Sequence, residues 1–112
     1  MDILDICVNA LSEKKGENIV AIDISSISIM ADYLVIASGS NKNQIQAMSD
    51  NVIECLHKND IVQKNIEGYD ASNWILIDIG DVVVHIFDKE SRGFYDLERL
   101  YIDGKKLDLN TF

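Results

Sequence analysis

The feature that most constrains this chain is the stretch from Trp74 to Phe87, whose sequence is WILIDIGDVVVHIF. Two apolar runs are separated only by Gly80-Asp81, and this pattern predicts adjacent antiparallel strands joined by a two-residue turn. Glycine at the first turn position suits a type II′ turn, so Ile79 should lie opposite Val82. Counting outward from that pair predicts the register Asp78/Val83, Ile77/Val84, Leu76/His85, Ile75/Ile86 and Trp74/Phe87.

This register sorts the hairpin into two faces, because opposed residues share a face and side chains alternate along a strand. The first, here called the aliphatic face, should be core and consists of Ile75, Ile77, Ile79, Val82, Val84 and Ile86. The second, here called the mixed face, consists of Trp74, Leu76, Asp78, Val83, His85 and Phe87. A carboxylate and an imidazole within an apolar surface make the mixed face the candidate site. The assignment depends on the register, since a slip of one residue in one strand would exchange that strand's faces.

The remaining segments predict an α/β fold. The spacing of apolar residues predicts a helix over residues 2–15 and a second helix that begins after Gly39-Ser40-Asn41. The buried stripe of the second helix would consist of Ile45, Met48, Val52 and Leu56. Strand-like runs are predicted at residues 19–24, 33–38 and 61–66, and the last two flank a helix, so they should run parallel. With the hairpin, these segments predict a mixed β-sheet of about five strands with flanking helices.

The chain length fits one domain over residues 1–112. A chain of 112 residues with 47% hydrophobic content should bury about two thirds of its unfolded surface. Residues 88–100 fit one or two short helices broken near Gly93, and the tail at residues 103–112 is expected to be partly mobile.

Charge argues against nucleic acid as a partner. The net charge is −9, and affinity for a phosphate backbone comes from clustered cations, so DNA is not an expected partner. A basic protein fits better, because the stretch from Asn65 to Asp88 contains five acids and no Lys or Arg. Acidic surfaces also commonly serve only solubility, and from charge alone this simpler interpretation is favoured.

Other features predict a cytoplasmic protein with reduced thiols. Cys7 and Cys55 show no paired spacing, and the first residues lack the basic region of a signal peptide. Polar residues interrupt every apolar run before the roughly 20 residues that span a bilayer, so no membrane contact is expected.

Catalytic chemistry finds little support. Gly39-Ser40 at a strand end opens a helix and resembles the glycine-serine motif of nucleotidyltransferase-like folds, an anion site that would need a nearby carboxylate pair for Mg²⁺. No Asp-x-Asp pair occurs in the chain. His85 has no serine or cysteine nucleophile on its face, and two His and two Cys at unrelated positions make no metal site. We therefore expect no catalytic residue, no cofactor and no metal.

Trp74 is the stronger candidate for a functional residue. Tryptophan is enriched among interface hot spots, although a core tryptophan under a helix is an equally common alternative from composition alone. Its setting beside Leu76 and Phe87, ringed by acids, favours an apolar interface centre with a polar rim.

At these residues the chain resembles the ribosomal silencing factor family, also called the Iojap or YbeB-like family. The matching stretches are ADYLVIASGSNKNQIQAMSDNV and EGYDASNWILIDIGDVVVHIFDKESRGFYDLERLY. The resemblance implies a non-enzymatic bacterial factor that binds the large ribosomal subunit at ribosomal protein fourteen and blocks joining of the small subunit when nutrients are scarce. It also implies homodimers and a fold related to nucleotidyltransferases without their catalytic carboxylates. An enzyme that binds or transfers nucleotides through Gly39-Ser40 is the alternative.

Carried over onto this sequence, the resemblance makes Trp74 an anchor against the ribosomal protein. We extend the expected partner-binding patch to Leu76, Asp78, His85, Phe87, Tyr69, Asp70, Asp81, Tyr95 and Glu98. The chain departs from the family at Tyr101, where many members have tryptophan, at Gly93, which is usually a charged residue, and in having no proline. A tyrosine keeps most of the aromatic area, so binding should persist.

Overall fold

The computed structural model describes residues 2–109, which form a mixed sheet with helices on both of its faces. The helices are α1 (Ile3–Glu13), α2 (Lys42–Lys58), α3 (Lys89–Tyr95) and α4 (Leu97–Leu100). The strands are β1 (Glu17–Asp23), β2 (Tyr33–Gly39), β3 (Asn65–Glu67), β4 (Trp74–Asp78), β5 (Val82–Asp88) and β6 (Lys105–Lys106). Their order across the sheet is β3-β4-β5-β2-β1-β6. The α/β class is confirmed, with six described strands where about five were predicted.

The hairpin adopts the predicted register. Antiparallel β4 and β5 pair Trp74 with Phe87 through to Asp78 with Val83, and the Ile79 N–H donates to the Val82 carbonyl at 2.9 Å. Gly80 has a φ of 99°, which an L side chain rarely adopts and which the first position of a type II′ turn requires. All six residues of the aliphatic face are buried, so its assignment to the core is confirmed.

Strand β2 lies in the interior of the sheet, as its unbroken apolar run predicted. It pairs with β1 in antiparallel and with β5 in parallel orientation, and all of its residues after Tyr33 are buried. Both faces of such a strand are covered, which explains the absence of polar alternation.

Helices α1 and α2 pack together over the aliphatic face. Each begins at a side-chain cap: the Asp2 carboxylate accepts from the Asp5 N–H, and the Asn41 side chain accepts from the Gln44 N–H. The predicted stripe of α2 is fully buried. A Cβ at Gly39 would lie 2.6 Å from Ile45 Cγ1, so glycine there permits the close approach of helix and strand.

Strand β3 differs from the prediction in length and place. It covers Asn65–Glu67, because the Ile61 N–H still bonds back to the Leu56 carbonyl of α2 and the first bond to β4 is that of the Lys64 N–H to the Asp78 carbonyl. It runs in the same direction as β2, as predicted, but β4 and β5 lie between the two strands.

The C-terminal segment contains two short helices, but the predicted break near Gly93 is wrong. Gly93 lies within α3, and the break is at Asp96, whose left-handed backbone (φ 47°) ends α3 and begins α4. The chain then adds β6 beside the end of β1, where Lys106 pairs with Ile22. Mobility of the tail stays a prediction, and residues 110–112 lie outside the described part of the chain.

Within residues 2–109, no helix combines the length and the apolar character that crossing a membrane requires.

Candidate functional site

The mixed face continues across the sheet into a second, smaller core. The parallel register of β2 and β5 places Leu34 beside Val83, Ile36 beside His85 and Ser38 beside Phe87. The buried members of this second core are Ile22, Ile24, Ala31, Leu34, Ile36 and Phe87, with Trp74, Leu97 and Tyr101 packed against them. The C-terminal helical segment therefore covers part of the face that the sequence marked as the candidate site.

Five rings form a continuous cluster there, here called the ring cluster, consisting of His85, Phe87, Trp74, Tyr95 and Phe94. Trp74 contacts both Phe87 and Tyr95, with ring centroids 5.1 and 4.5 Å away. Phe87 and Tyr95 are themselves 6.2 Å apart, and Phe94 meets Tyr95 edge-on at 5.1 Å. Exposure rises along the cluster, since Phe87 is fully buried, Trp74 is half-buried, and Tyr95 and Phe94 are 44% and 80% exposed. The cluster thus has a fixed inner end and a solvent-facing outer end.

His85 serves the ring cluster as a hydrogen-bond acceptor. Its Nδ1 accepts from the Trp74 indole N–H at 2.9 Å, so in the neutral ring the proton is on Nε2. Burial of the imidazole lowers the pKa of His85 to about 4, from an ordinary 6.5. The neutral ring fixes the orientation of the indole, and the mixed face brings it no nucleophile.

Leu76 and Asp78 lie on the same face, towards the hairpin turn. Both are half-buried, as is Val83. Asp78 Oδ1 accepts from the Gly80 N–H at 2.9 Å, so this carboxylate stabilises the turn.

Glu98 is engaged within the chain. Its Oε1 accepts from Arg92 Nε at 3.0 Å, and Arg92 Nη1 donates to Ser38 Oγ at 2.9 Å and to the Glu17 carbonyl at 3.4 Å. Sequence reasoning did not single out Arg92 or Ser38. These contacts join residues that are separated by 54 and 75 positions in the sequence, so no local pattern indicates them. Phe94 was also missed, although its place beside Tyr95 in a charged segment was a usable signal.

Three predicted residues lie away from the ring cluster. Tyr69 packs against the core of the aliphatic face, and its hydroxyl donates to Asp50 of α2 at 3.1 Å. Asp81 is at the hairpin turn, the opposite end from Trp74, and its carbonyl accepts from the N–H groups of Asp32 and Tyr33. Asp70 is exposed in the β3–β4 loop. The structure thus groups Trp74, His85, Phe87 and Tyr95, with Leu76 and Asp78 beside them.

Side chains already occupy two of the backbone donors at the Gly39-Ser40 turn and the start of α2. The Ser40 N–H donates to Gln44 Oε1 at 2.6 Å, and the Gln44 N–H donates to the Asn41 cap. Ser40 Oγ also faces the Glu17 carboxylate at 3.4 Å, which disfavours an anion at this position. Among residues 2–109, moreover, no group of three His, Cys, Asp or Glu side chains could hold a metal ion.

Comparison with known proteins adds a family match over the same residues. The whole chain, residues 1–112, matches a family model described as ribosomal silencing factor during starvation. Ribosomal silencing factor RsfS from Bacillus subtilis is 41% identical over 108 residues, which are 96% of this chain and 92% of that protein. A crystal structure of a protein from Bacillus halodurans is similar with a TM-score of 0.85 and 38% identity, covering 95% of this chain and 96% of its own.

A more distant relative occurs in Mus musculus. Mitochondrial assembly of ribosomal large subunit protein 1 is 30% identical over 102 residues, which are 88% of this chain and 44% of the mouse protein. The chain therefore corresponds to less than half of that relative.

Proposed function

The chain belongs to the ribosomal silencing factor family, and from this premise we propose that it lowers translation by binding the large ribosomal subunit. The contact is with ribosomal protein fourteen, and the bound factor blocks joining of the small subunit when nutrients are scarce. Family membership supports the silencing role, and the name of the mouse relative supports the large subunit as the partner. The protein acts by occupying a surface and catalyses no reaction.

The proposed binding site rests on one observation, which is the exposure of the outer end of the ring cluster. Phe94 and Tyr95 face solvent, while Trp74 holds Tyr95 from beneath and is itself fixed by the hydrogen bond to His85. Large aromatic side chains with fixed rotamers lose little conformational entropy on binding, and such residues dominate interface energies. A ring cluster held on one side and open on the other suits a protein partner.

The ten residues expected from sequence take different parts in this proposal. Trp74, Leu76 and Tyr95 contact the partner, whereas Phe87 and His85 are too buried to do so and support Trp74 from within. Glu98 contributes indirectly, by its hydrogen bond with Arg92, and Asp78 contributes by its hydrogen bond within the hairpin turn. Tyr69, Asp70 and Asp81 lie outside the contact, and the two acids attract a basic partner at a distance.

Phe94 offers a direct test, because its side chain is 80% exposed and a substitution there leaves the core intact. Phe94→Glu should reduce affinity for purified large subunits at least about tenfold in co-sedimentation and should weaken the block on subunit joining. Val62→Glu is the matched control, since it places the same charge on another exposed apolar residue, outside the ring cluster. Equal affinity of the two variants for the large subunit would show that the ring cluster is not part of the interface.

Nucleotide binding through Gly39-Ser40 is the alternative function, and we do not favour it because side chains occupy two of the donors there and the Glu17 carboxylate lies 3.4 Å from Ser40 Oγ. Titration calorimetry with nucleoside triphosphates and Mg²⁺ should show no saturable heat. Clear saturable binding would restore this alternative. The relation of the fold to nucleotidyltransferases, the homodimer and the cytoplasmic location stay predictions.

A further inference from the structure

Helices α3 and α4 are held to the sheet by few contacts. Neither helix contributes a fully buried residue, and α4 has only four residues. Leu97 is half-buried against the second core, and the Tyr95 ring contacts Trp74 at an interplanar angle of 45°. A segment with so little buried apolar surface needs another fixed point if Tyr95 is to keep one position on the indole.

Arg92 is the buried fixed point of α3, in addition to the exposed ion pair of Lys89 with Glu17 at 3.2 Å. Its side chain is 13% exposed, and its guanidinium donates to Ser38 of β2, to the Glu17 carbonyl of β1 and to Glu98 of α4. One side chain therefore connects α3 with two strands and with the next helix. The planar guanidinium carries several donors in a fixed arrangement, so these contacts restrict both the place and the rotation of α3.

The Arg92 contacts lie next to the ring cluster. Ser38 is 1% exposed and pairs in register with Phe87, the buried ring beneath Trp74. Tyr95 is three residues after Arg92 in α3, and residues at this spacing are neighbours on one helix face. The orientation of Arg92 therefore determines where Tyr95 meets Trp74.

We infer that Arg92 is a positioning residue, which holds α3 on the sheet so that Tyr95 and Phe94 present a fixed surface to the partner. This inference rests on the proposed binding function. Glu98, expected from sequence to contact the partner, acts by orienting Arg92 and limits its movement. Electrostatics alone would give the opposite result, because loss of a cation makes the acidic chain more attractive to a basic partner.

Arg92→Met tests this inference, because methionine keeps much of the apolar stem and removes all donors. Trp74 is the only tryptophan of the sequence, so its fluorescence reports the Tyr95 contact directly. We expect a folded protein whose emission shifts to longer wavelength, towards that of Tyr95→Ala, and whose α3 and α4 amides exchange faster with solvent. Affinity for purified large subunits should fall about tenfold.

Arg99→Met is the matched control, since it removes the same charge from an exposed position in α4. It should leave the Trp74 emission and the amide exchange within experimental error of those of the wild type, and it should not lower the affinity. Arg92→Lys should restore part of the wild-type emission, because an ammonium group can still reach one acceptor.

A folded Arg92→Met protein with wild-type emission and exchange would overturn the inference. If Arg92→Met does not fold, Ser38→Ala and Glu98→Gln decide the question, and unchanged emission in both would also overturn it. These spectroscopic measurements need no ribosome. Failure of the wild-type protein to bind large subunits would contradict the proposed function and leave the result for Arg92 standing.

Discussion

The hydrogen bond from Trp74 to His85 makes the orientation of the indole depend on a neutral imidazole. Nδ1 accepts at 2.9 Å, and a protonated ring could not accept there. Burial on a sheet face with apolar neighbours disfavours the charged form and lowers the pKa of His85 to about 4. The lone strand histidine is thus a structural residue of the candidate site.

This arrangement predicts that His85 contributes to the pH dependence of stability. Because its pKa in the folded protein lies below the ordinary 6.5, the unfolded chain binds the proton more readily between about pH 6.5 and pH 4. The contribution is complete above the ordinary pKa and decreases as the pH falls, by about 3 kcal/mol at most. His85→Gln keeps an acceptor for the indole but removes the titrating imidazole, so the free energy of unfolding should fall by up to about 3 kcal/mol less than in the wild type as the pH is lowered.

Urea denaturation at a series of pH values measures this difference. His57→Gln is the control for removal of an imidazole, since His57 lies exposed near the end of α2. A His85→Gln protein with the full pH dependence of the wild type would contradict the assignment of a neutral, buried acceptor.

The secondary-structure elements were predictable where local chemistry determines them. The two-residue turn with its glycine fixed the register of β4 and β5, and an Asn41 cap followed by a 3.6-residue stripe located α2. The course of α3 was not predictable, because it depends on Asp96, whose left-handed backbone has no strong sequence signal, and on contacts of Arg92 far along the chain. Tyr69, included in the expected patch, packs against the core of the aliphatic face and bonds to Asp50 of α2, a contact across 19 positions that the loop sequence does not indicate.

Substitution of Gly93 within α3 and of Gly39 before α2 should change the stability of the protein in opposite directions. Gly93 lies within α3 and a Cβ there would meet no atom within 4 Å, so Gly93→Ala should stabilise the protein by about 0.5–1 kcal/mol through helix propensity. Gly39→Ala would place a Cβ 2.6 Å from Ile45 Cγ1 and should destabilise it by about 1–3 kcal/mol. Chemical denaturation of both variants measures the free energies of unfolding. Destabilisation by Gly93→Ala would mean that α3 does not continue through residue 93.

The charge of the molecule as a whole acts at longer range than the ring cluster. The chain carries a net charge of −9, and the stretch from Asn65 to Asp88 has no cation to offset its acids. Exposed charges such as Asp70 and Asp81 contribute little to the free energy of a complex but raise the rate of encounter with a basic partner. The molecule therefore combines a small, partly exposed ring cluster with an acidic stretch whose charges act at longer range.

A pair of double variants separates local steering from net charge. Asp70→Asn with Asp81→Asn removes two acids from the stretch between Asn65 and Asp88, whereas Asp60→Asn with Asp103→Asn removes two exposed acids elsewhere. If the acidic stretch guides the partner, only the first pair should lower the association rate with large subunits, by about two- to fivefold at low salt. The dissociation rate should change little in either pair. The difference between the two pairs in association rate should vanish as salt is raised, because exposed charges are screened beyond about 10 Å at 0.1 M ionic strength. Stopped-flow association measures both rates, and equal slowing in the two pairs would assign the steering to net charge alone.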